Sequence, residues 1–375
     1  MSTKPAASPI TRTSTTPSRA IDVQDPLNVA DFERLAEAAL EPGAFGYFAG
    51  GAGDEHCLRE NVAAWRRLRL RPRVLVDVGD ATPATTVLGT PVSMPLLVAP
   101  TAFHRMVHPD GEPATARAAA AAGTIMCLST LATCGPAEVA AAAPGAPRWF
   151  QLYVFRERQV TRSLVEQAVG AGFEAIVLTV DAPRLGRRER DLRTGFRIPE
   201  DVLVPSVAAA TGAWAGATPL DALSQIDPTL SWRDLEQLVA DSPVPVVVKG
   251  IQTAEDAHLA CEHGASAIVV SNHGGRQLDA VAPTAELLSE CVDAVDGRIE
   301  VYVDGGIRRG TDVIAALALG ARAVLVGRPV LWGLAHGGEA GARHVLELLR
   351  GEIELALALC GCATPDAVTS AHCSR

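Results

Sequence analysis

From residue 95 onward eight short apolar runs alternate with segments of helical apolar spacing, seven of which are recognisable. The runs are Pro95–Pro100, Thr124–Ser129, Trp149–Val154, Ala175–Asp181, Pro245–Gly250, Ala267–Asn272, Glu300–Gly305 and Ala323–Gly327. They are nearly continuous in Val, Ile, Leu and Ala rather than alternating, as in parallel strands buried on both faces. Helical patterns follow at Glu112–Ala122, Glu157–Ala171, Trp232–Ala240, Ala254–His263, Thr284–Val295 and Thr311–Leu319, with a last one from Gly341 to about Leu359. Eight such units in one chain predict an α/β fold, a TIM (β/α)₈ barrel. A doubly wound open sheet is the alternative. It does not require eight strands, and no GxGxxG follows the first run. One connection is anomalous. About 50 residues separate Asp181 from the helix at Trp232, with a weak Ala/Gly stretch at Ala208–Ala217. The barrel therefore carries a long active-site excursion after strand 4, the usual place of a lid, a substrate loop or disorder.

Before the barrel, residues 1–27 are rich in Ser, Thr and Pro and read as a disordered tail without the apolar stretch of a secretory signal. Residues 28–375 read as a single domain. The spacing of Val29, Phe32, Leu35, Ala36 and Ala39 predicts a helix over Asn28–Leu40, with Asn28 as N-cap and Pro42 and Gly43 ending it. The net charge of −10 over 375 residues argues against nucleic acid or an anionic membrane as partner. No run approaches the roughly twenty apolar residues of a transmembrane helix. Eight cysteines are scattered without zinc spacing, so no metal is expected and the thiols read as reduced. Lysine is nearly absent: only Lys4 and Lys249 occur.

A barrel of this kind places its active site at the C-terminal strand ends. In chain order those ends supply Pro100, Thr101 and Ala102; Ser129; Gln151 and Tyr153; Thr179 and Asp181; Lys249; Ser271 with Asn272 and His273; Asp304 to Arg308; and Gly327 with Arg328. Every strand brings a hydroxyl, amide, charge or glycine turn to one rim. Gly305, Gly306 and Gly327 allow backbone N–H groups to approach an anion, and Arg308 and Arg328 add charge, at the usual phosphate position of such barrels. Taken alone, such residues also serve as turns and solvated charge. His273 and Arg276 lie three residues apart just past the sixth run. A histidine suits proton transfer near neutral pH, and an arginine can grip a carboxylate with two hydrogen bonds.

These residues carry a resemblance. The segment SNHGGRQLD at 271–279 is supported by APTAFHRMVHPDGE at 99–112, FQLYV at 150–154, LTVDAPRLGRRERD at 178–191, VVVKG at 246–250, VDGGIRRGTD at 303–312 and VGRP at 326–329. From about residue 28 to 370 the chain resembles the FMN-dependent 2-hydroxy-acid oxidase and dehydrogenase family, which includes glycolate, lactate and mandelate enzymes. The resemblance implies that FMN rests against Pro100, Thr101 and Ala102, with Ser129, Gln151, Thr179 and Ser271 hydrogen-bonding its ring and ribityl chain. It implies Lys249 at the flavin N1/O2 edge, and Asp304, Gly305, Gly306, Ile307, Arg308, Gly327 and Arg328 around ribityl and phosphate. Tyr47, Arg188 and Arg276 would take the substrate carboxylate, and Tyr153 the hydroxyl side. His273 would be the base and Asp181 the stabiliser of its protonated form.

By the same resemblance the reaction is oxidation of an L-2-hydroxy acid to the 2-oxo acid, with O₂ as acceptor and H₂O₂ as product. A homotetramer is expected, and the reduced thiols point to the cytoplasm. A dehydrogenase using a quinone or other acceptor is the near alternative, and a non-redox FMN-dependent isomerase the distant one. Whether His273 takes the α-proton or the hydroxyl proton is left open. Leu131 departs from the pattern, standing where glycolate oxidases carry a Trp over the substrate, with Phe103 near the same wall. That favours longer, branched or aromatic 2-hydroxy acids. The tail is too short for the haem domain of some relatives, the excursion lacks a membrane-anchoring apolar insert, and the ending His372-Cys-Ser-Arg375 is no peroxisomal signal.

Overall fold

Each of the eight apolar runs forms one strand of a closed parallel barrel. In the computed structural model, which describes residues 25–211 and 219–374, the strands are β1 (Leu96–Val98), β2 (Met126–Leu128), β3 (Arg148–Leu152), β4 (Ala175–Thr179), β5 (Val246–Ile251), β6 (Ala267–Val270), β7 (Glu300–Val303) and β8 (Ala323–Val326). They follow chain order around the barrel, and β8 pairs back onto β1. Side chains alternate between two cores, as the pleat of a strand requires. Leu97, Cys127, Trp149, Val177, Val247, Val269, Tyr302 and Leu325 fill the interior, while Leu96, Val98, Phe150, Ile176, Ile268 and Val324 face the outer helices. A hairpin of Thr85–Val87 and Thr90–Val92 adds Val87 and Val92 to the interior core.

The helices between the strands lie within a residue of the predicted ranges wherever the apolar spacing predicts one. Elsewhere the structure corrects the sequence. Helix α1 (Val29–Ala39) starts as predicted: Asn28 Oδ1 accepts from the N–H groups of Ala30 and Asp31 at 2.9 and 3.2 Å. Pro42, however, opens a second helix, α2 (Pro42–Ala49). At a first helical position proline loses no hydrogen bond and its φ is already set. Helix α3 (His56–Arg67) and the seven-residue Pro136–Ala142 are further helices that the spacing does not announce. The last helical stretch runs from Arg328 to Cys360, broken at Gly337 and Gly338, so it begins directly after β8 and not at Gly341. The excursion after β4 contains short helices at Glu189–Thr194, Pro205–Thr211 and Pro219–Ser224. The predicted tail falls outside the described residues over 1–24, as does 212–217 of the Ala/Gly stretch. Among the described residues no helix is long and apolar enough to cross a membrane, and no His/Cys/Asp/Glu group could hold a metal.

Candidate active site

The site grows out of the barrel's own two-residue period. One step beyond each interior apolar side chain, the same face of the strand presents a small or polar one. Leu97 is followed by Ala99, Cys127 by Ser129, Trp149 by Gln151, Val177 by Thr179, Val247 by Lys249, Val269 by Ser271, Tyr302 by Asp304 and Leu325 by Gly327. The apolar plug thus ends in a polar floor. Above it lies a cleft that opens to solvent.

Lys249 is buried in this floor. Its ammonium donates to Ser271 Oγ at 2.9 Å and lies 2.9 Å from Asp304 Oδ2. Burial alone would lower its pKa, but Asp304 and Asp181 outweigh that and hold it above the ordinary lysine value. The same Ser271 oxygen accepts from the backbone N–H of His273 at 3.1 Å. Gln151 is fixed by one end only: its Oε1 accepts from Ser129 Oγ and the N–H of Thr130.

On the wall, His273 Nδ1 meets Asp181 Oδ1 at 2.8 Å, and only 4% of the Asp181 side chain is exposed. Burial pushes the Asp181 carboxyl up, yet His273 and Lys249 together bring it below the ordinary aspartate value. With Nδ1 so engaged, Nε2 is the nitrogen left for the cleft. Tyr153 is buried nearby. Burial and the Asp181 charge push its phenol far up, so it stays protonated and can donate.

Four half-buried guanidinium groups line the cleft. Arg188 and Arg276 lie over the Tyr47 ring, at 5.5 and 5.0 Å from its centroid. Arg276 donates to the carbonyls of Tyr47 and Gly50, and Arg328 to those of Phe48, Gly50 and Gly274. Arg308 donates to the carbonyl of Ile307. Among the described residues none of the four has an ion-pair partner. Burial, with Arg188 as like-charged neighbour, lowers the pKa of Arg276 to about 10. Burial and the charges of Arg276 and Arg308 lower that of Arg328 as well. Cations packed together without a carboxylate in direct contact make a place for anions. Arg188 and Arg276 stand over Tyr47, while Arg308 and Arg328 follow β7 and β8, and Arg276 and Arg328 share the Gly50 carbonyl.

Nearly all residues singled out from the sequence line this one cleft, including Tyr47, Leu131, Tyr153, Arg188, Arg276 and Pro100 to Ala102. Asp181 and Ser271 do not line it; they stand behind His273 and Lys249 and hold them. Phe103 is fully buried, its ring 6.1 Å from that of Tyr47, so it backs the wall without forming it. The sequence reading missed Phe48, Leu185 and Leu223, which also line the cleft. Leu185 sits inside the LTVDAPRLGRRERD segment and is 47% exposed, an apolar side chain that its neighbours do not explain.

The floor fits a flat, hydrogen-bonding ring. Buried Gln151 Nε2 and Asp304 Oδ1 have no partner among the described residues, and each leaves a donor or an acceptor for a bound group. Arg308 and Arg328 fit a phosphate. A (β/α)₈ barrel whose rim gathers four guanidinium groups and a carboxylate-held histidine over a polar floor can take a phosphorylated cofactor and an acid substrate together.

Comparison with known proteins agrees. The family described as FMN-dependent dehydrogenase matches residues 36–375. The chain is 50% identical over 350 residues to an L-lactate oxidase of Nostoc sp., covering 91% of this chain and 96% of that one. It is also 50% identical over 350 residues to a peroxisomal (S)-2-hydroxy-acid oxidase of Oryza sativa subsp. japonica, at 92% and 95% coverage. A solved mandelate oxidase with benzoyl-formic acid superposes with a TM-score of 0.85 at 44% identity, covering 93% of this chain and 98% of that one. The chain belongs to the FMN-dependent dehydrogenase family, and its cofactor is FMN.

Proposed function

We propose that this protein oxidises an (S)-2-hydroxy acid with a bulky apolar side chain to the 2-oxo acid and passes the two electrons to O₂, giving H₂O₂. The observation that carries the reading is His273, held by Asp181, beside two unpaired arginines stacked on Tyr47. Two positive charges at one end of the cleft anchor a carboxylate and thereby fix the α-carbon, which lowers the entropic part of the barrier. Tyr153 donates to the substrate oxygen. His273 Nε2 takes up the proton released as the acid is oxidised, and Asp181 stabilises the imidazolium that results.

FMN, when bound, supplies the two-electron acceptor. Pro100, Thr101, Ala102, Ser129, Gln151, Thr179, Lys249 and Ser271 would surround or support its ring. Asp304, Gly305, Gly306, Ile307, Arg308, Gly327 and Arg328 would hold ribityl and phosphate. The cation of Lys249 would favour negative charge on the bound ring.

Leu131, Leu185, Leu223 and Ala182 line the cleft with apolar surface, which supports a large substrate side chain. The similar mandelate oxidase, solved with (S)-2-phenylpropionate, accommodates a phenyl-bearing acid. Residues 28–375 act as one FMN-binding unit. Cys57, Cys127, Cys134, Cys261, Cys291, Cys360 and Cys362 form no disulfide, in keeping with a reducing cytoplasm. Exposed Val74, Leu75, Leu355 and Leu359 suit contacts within a homotetramer. An oxygen electrode with (S)-mandelate tests the reading. Equal amounts of O₂ consumed, H₂O₂ formed and 2-oxo acid formed are expected; turnover only with a quinone or dye would replace O₂ as the acceptor.

A further inference from the structure

Helix α3 contributes no residue to the cleft, yet it touches both loops that build it. Gly275, two residues after His273, has φ 74°, and a Cβ there would sit 2.7 Å from the backbone nitrogen of Leu58. Gly306, in the phosphate-side loop, has φ 89°, and a Cβ there would sit 2.1 Å from the carbonyl oxygen of Asn61. Both loops therefore press glycine backbone onto adjacent turns of the same helix, where no side chain fits.

Hydrogen bonds close the same contact. Asn61 and Asn272 are 1% and 2% exposed. Asn61 Nδ2 donates to Asn272 Oδ1 at 2.9 Å, and Asn272 Nδ2 donates back to Asn61 Oδ1 at 2.8 Å. The Thr284 N–H also donates to Asn61 Oδ1, and the Thr284 hydroxyl to the carbonyl of Asp304 at 2.6 Å. Trp65 Nε1, one turn on, donates to the carbonyl of Gly305 at 2.8 Å. Asp279 anchors the start of the helix, accepting from the Cys57 and Asp54 N–H groups at 2.9 and 3.0 Å.

We propose that α3 is a splint, and that Asn61 is a positioning residue that couples the loop holding the phosphate end of FMN to the loop carrying His273 and Arg276. A reciprocal amide pair in a dry interior has one good geometry, because any shift leaves a buried donor or acceptor unpaired. Ordering of the 304–308 loop by the cofactor is thus passed through Asn61 and Asn272 to the base. The inference rests on His273 acting as proposed above.

The test compares wild type, Asn61→Ala and Asn61→Asp. The aspartate variant keeps shape and the acceptor for Asn272 Nδ2 and Thr284, and replaces the donor to Asn272 Oδ1 by a carboxylate oxygen that opposes it, so it breaks the reciprocal pair without opening a cavity if the alanine variant does not fold. Three quantities are read: FMN Kd by titration of apoprotein, Tm, and, at saturating FMN, the limiting rate of anaerobic flavin reduction with the substrate Kd. The splint predicts a weaker FMN Kd, by about tenfold, together with a limiting rate lower by about tenfold to a hundredfold, the scale of a small misplacement of reacting groups. Substrate Kd stays within about threefold. A limiting rate equal to wild type at saturating FMN overturns the inference, whatever Tm does, since a purely structural role would move Tm alone. A wild type that no 2-hydroxy acid reduces overturns the functional reading, and the splint with it.

Discussion

His273 Nδ1 lies 2.8 Å from Asp181 Oδ1, and this contact decides which ring nitrogen serves the cleft. The residue is held in a left-handed conformation, φ 57°, that a histidine rarely adopts. Its backbone N–H is tied to Ser271, so loop and ring are fixed together. His273→Gln is expected to retain FMN, because the His273 ring bonds to Asp181 and not to Arg308 or Arg328, and to slow flavin reduction by about a hundredfold or more. Stopped-flow absorbance under anaerobic conditions measures this; near-normal reduction removes His273 from the base role.

Leu131 should set the size limit of the substrate. Its N–H donates to Ser129 Oγ at 3.1 Å and its carbonyl accepts from the Phe103 N–H at 3.3 Å, so the direction of its side chain is set by backbone contacts on both sides. Leu131→Trp should reduce kcat/KM for mandelate more than for glycolate, by about 10- to 200-fold. If Leu131 only packs the rim, the larger ring strains the site, Tm drops, and all substrates suffer alike.

The arginines at β7 and β8 make a prediction about the apoprotein. Arg308 and Arg328 carry like charges and neither has a direct ion-pair partner among the described residues, so an anion bound by both should stabilise the apoprotein. Inorganic phosphate or sulfate should raise Tm of the apoprotein more than chloride at equal ionic strength, and FMN should raise it further. By mass action a ligand at about 100 times its Kd stabilises by about 2.7 kcal/mol. Arg328→Met should abolish the phosphate effect; a variant still stabilised by phosphate locates the anion elsewhere.

Stability should depend on pH at two ends. The Lys249 pKa is raised above 10.5, so its contribution is complete below pH 10.5 and is lost as pH rises through the folded value. The Asp181 pKa is lowered below 3.8, so its contribution is present above pH 3.8 and is lost as pH falls through the folded value. A plot of Tm against pH should show both limbs. Lys249→Met should lower the plateau and flatten the alkaline limb, and Asp181→Asn should flatten the acid one. Limbs that keep their slopes in these variants assign them to other groups.

The barrel was legible because buried parallel strands leave continuous apolar runs, and the floor of the site because polar residues interrupt those runs at a fixed period. What lay outside reach has physical causes. Pro42 permits either a helix end or a helix start, and only its place at the first helical position decides. Gly337 and Gly338 break the last helix without stopping it, which hid the segment that begins at Arg328. Asn61 and Trp65 look like ordinary polar and apolar positions of a helix, since their partners Asn272 and Gly305 lie 211 and 240 residues away. Leu223 reaches the cleft only through the path of the long excursion, which no local pattern encodes.

The central claim is that this chain removes two electrons from a 2-hydroxy acid, and anaerobic titration of the FMN-loaded protein tests it most directly. The flavin absorbance should bleach on addition of (S)-mandelate or another bulky (S)-2-hydroxy acid, with one 2-oxo acid formed per flavin, and less readily with glycolate. A flavin that stays oxidised across a panel from glycolate to mandelate would contradict the account.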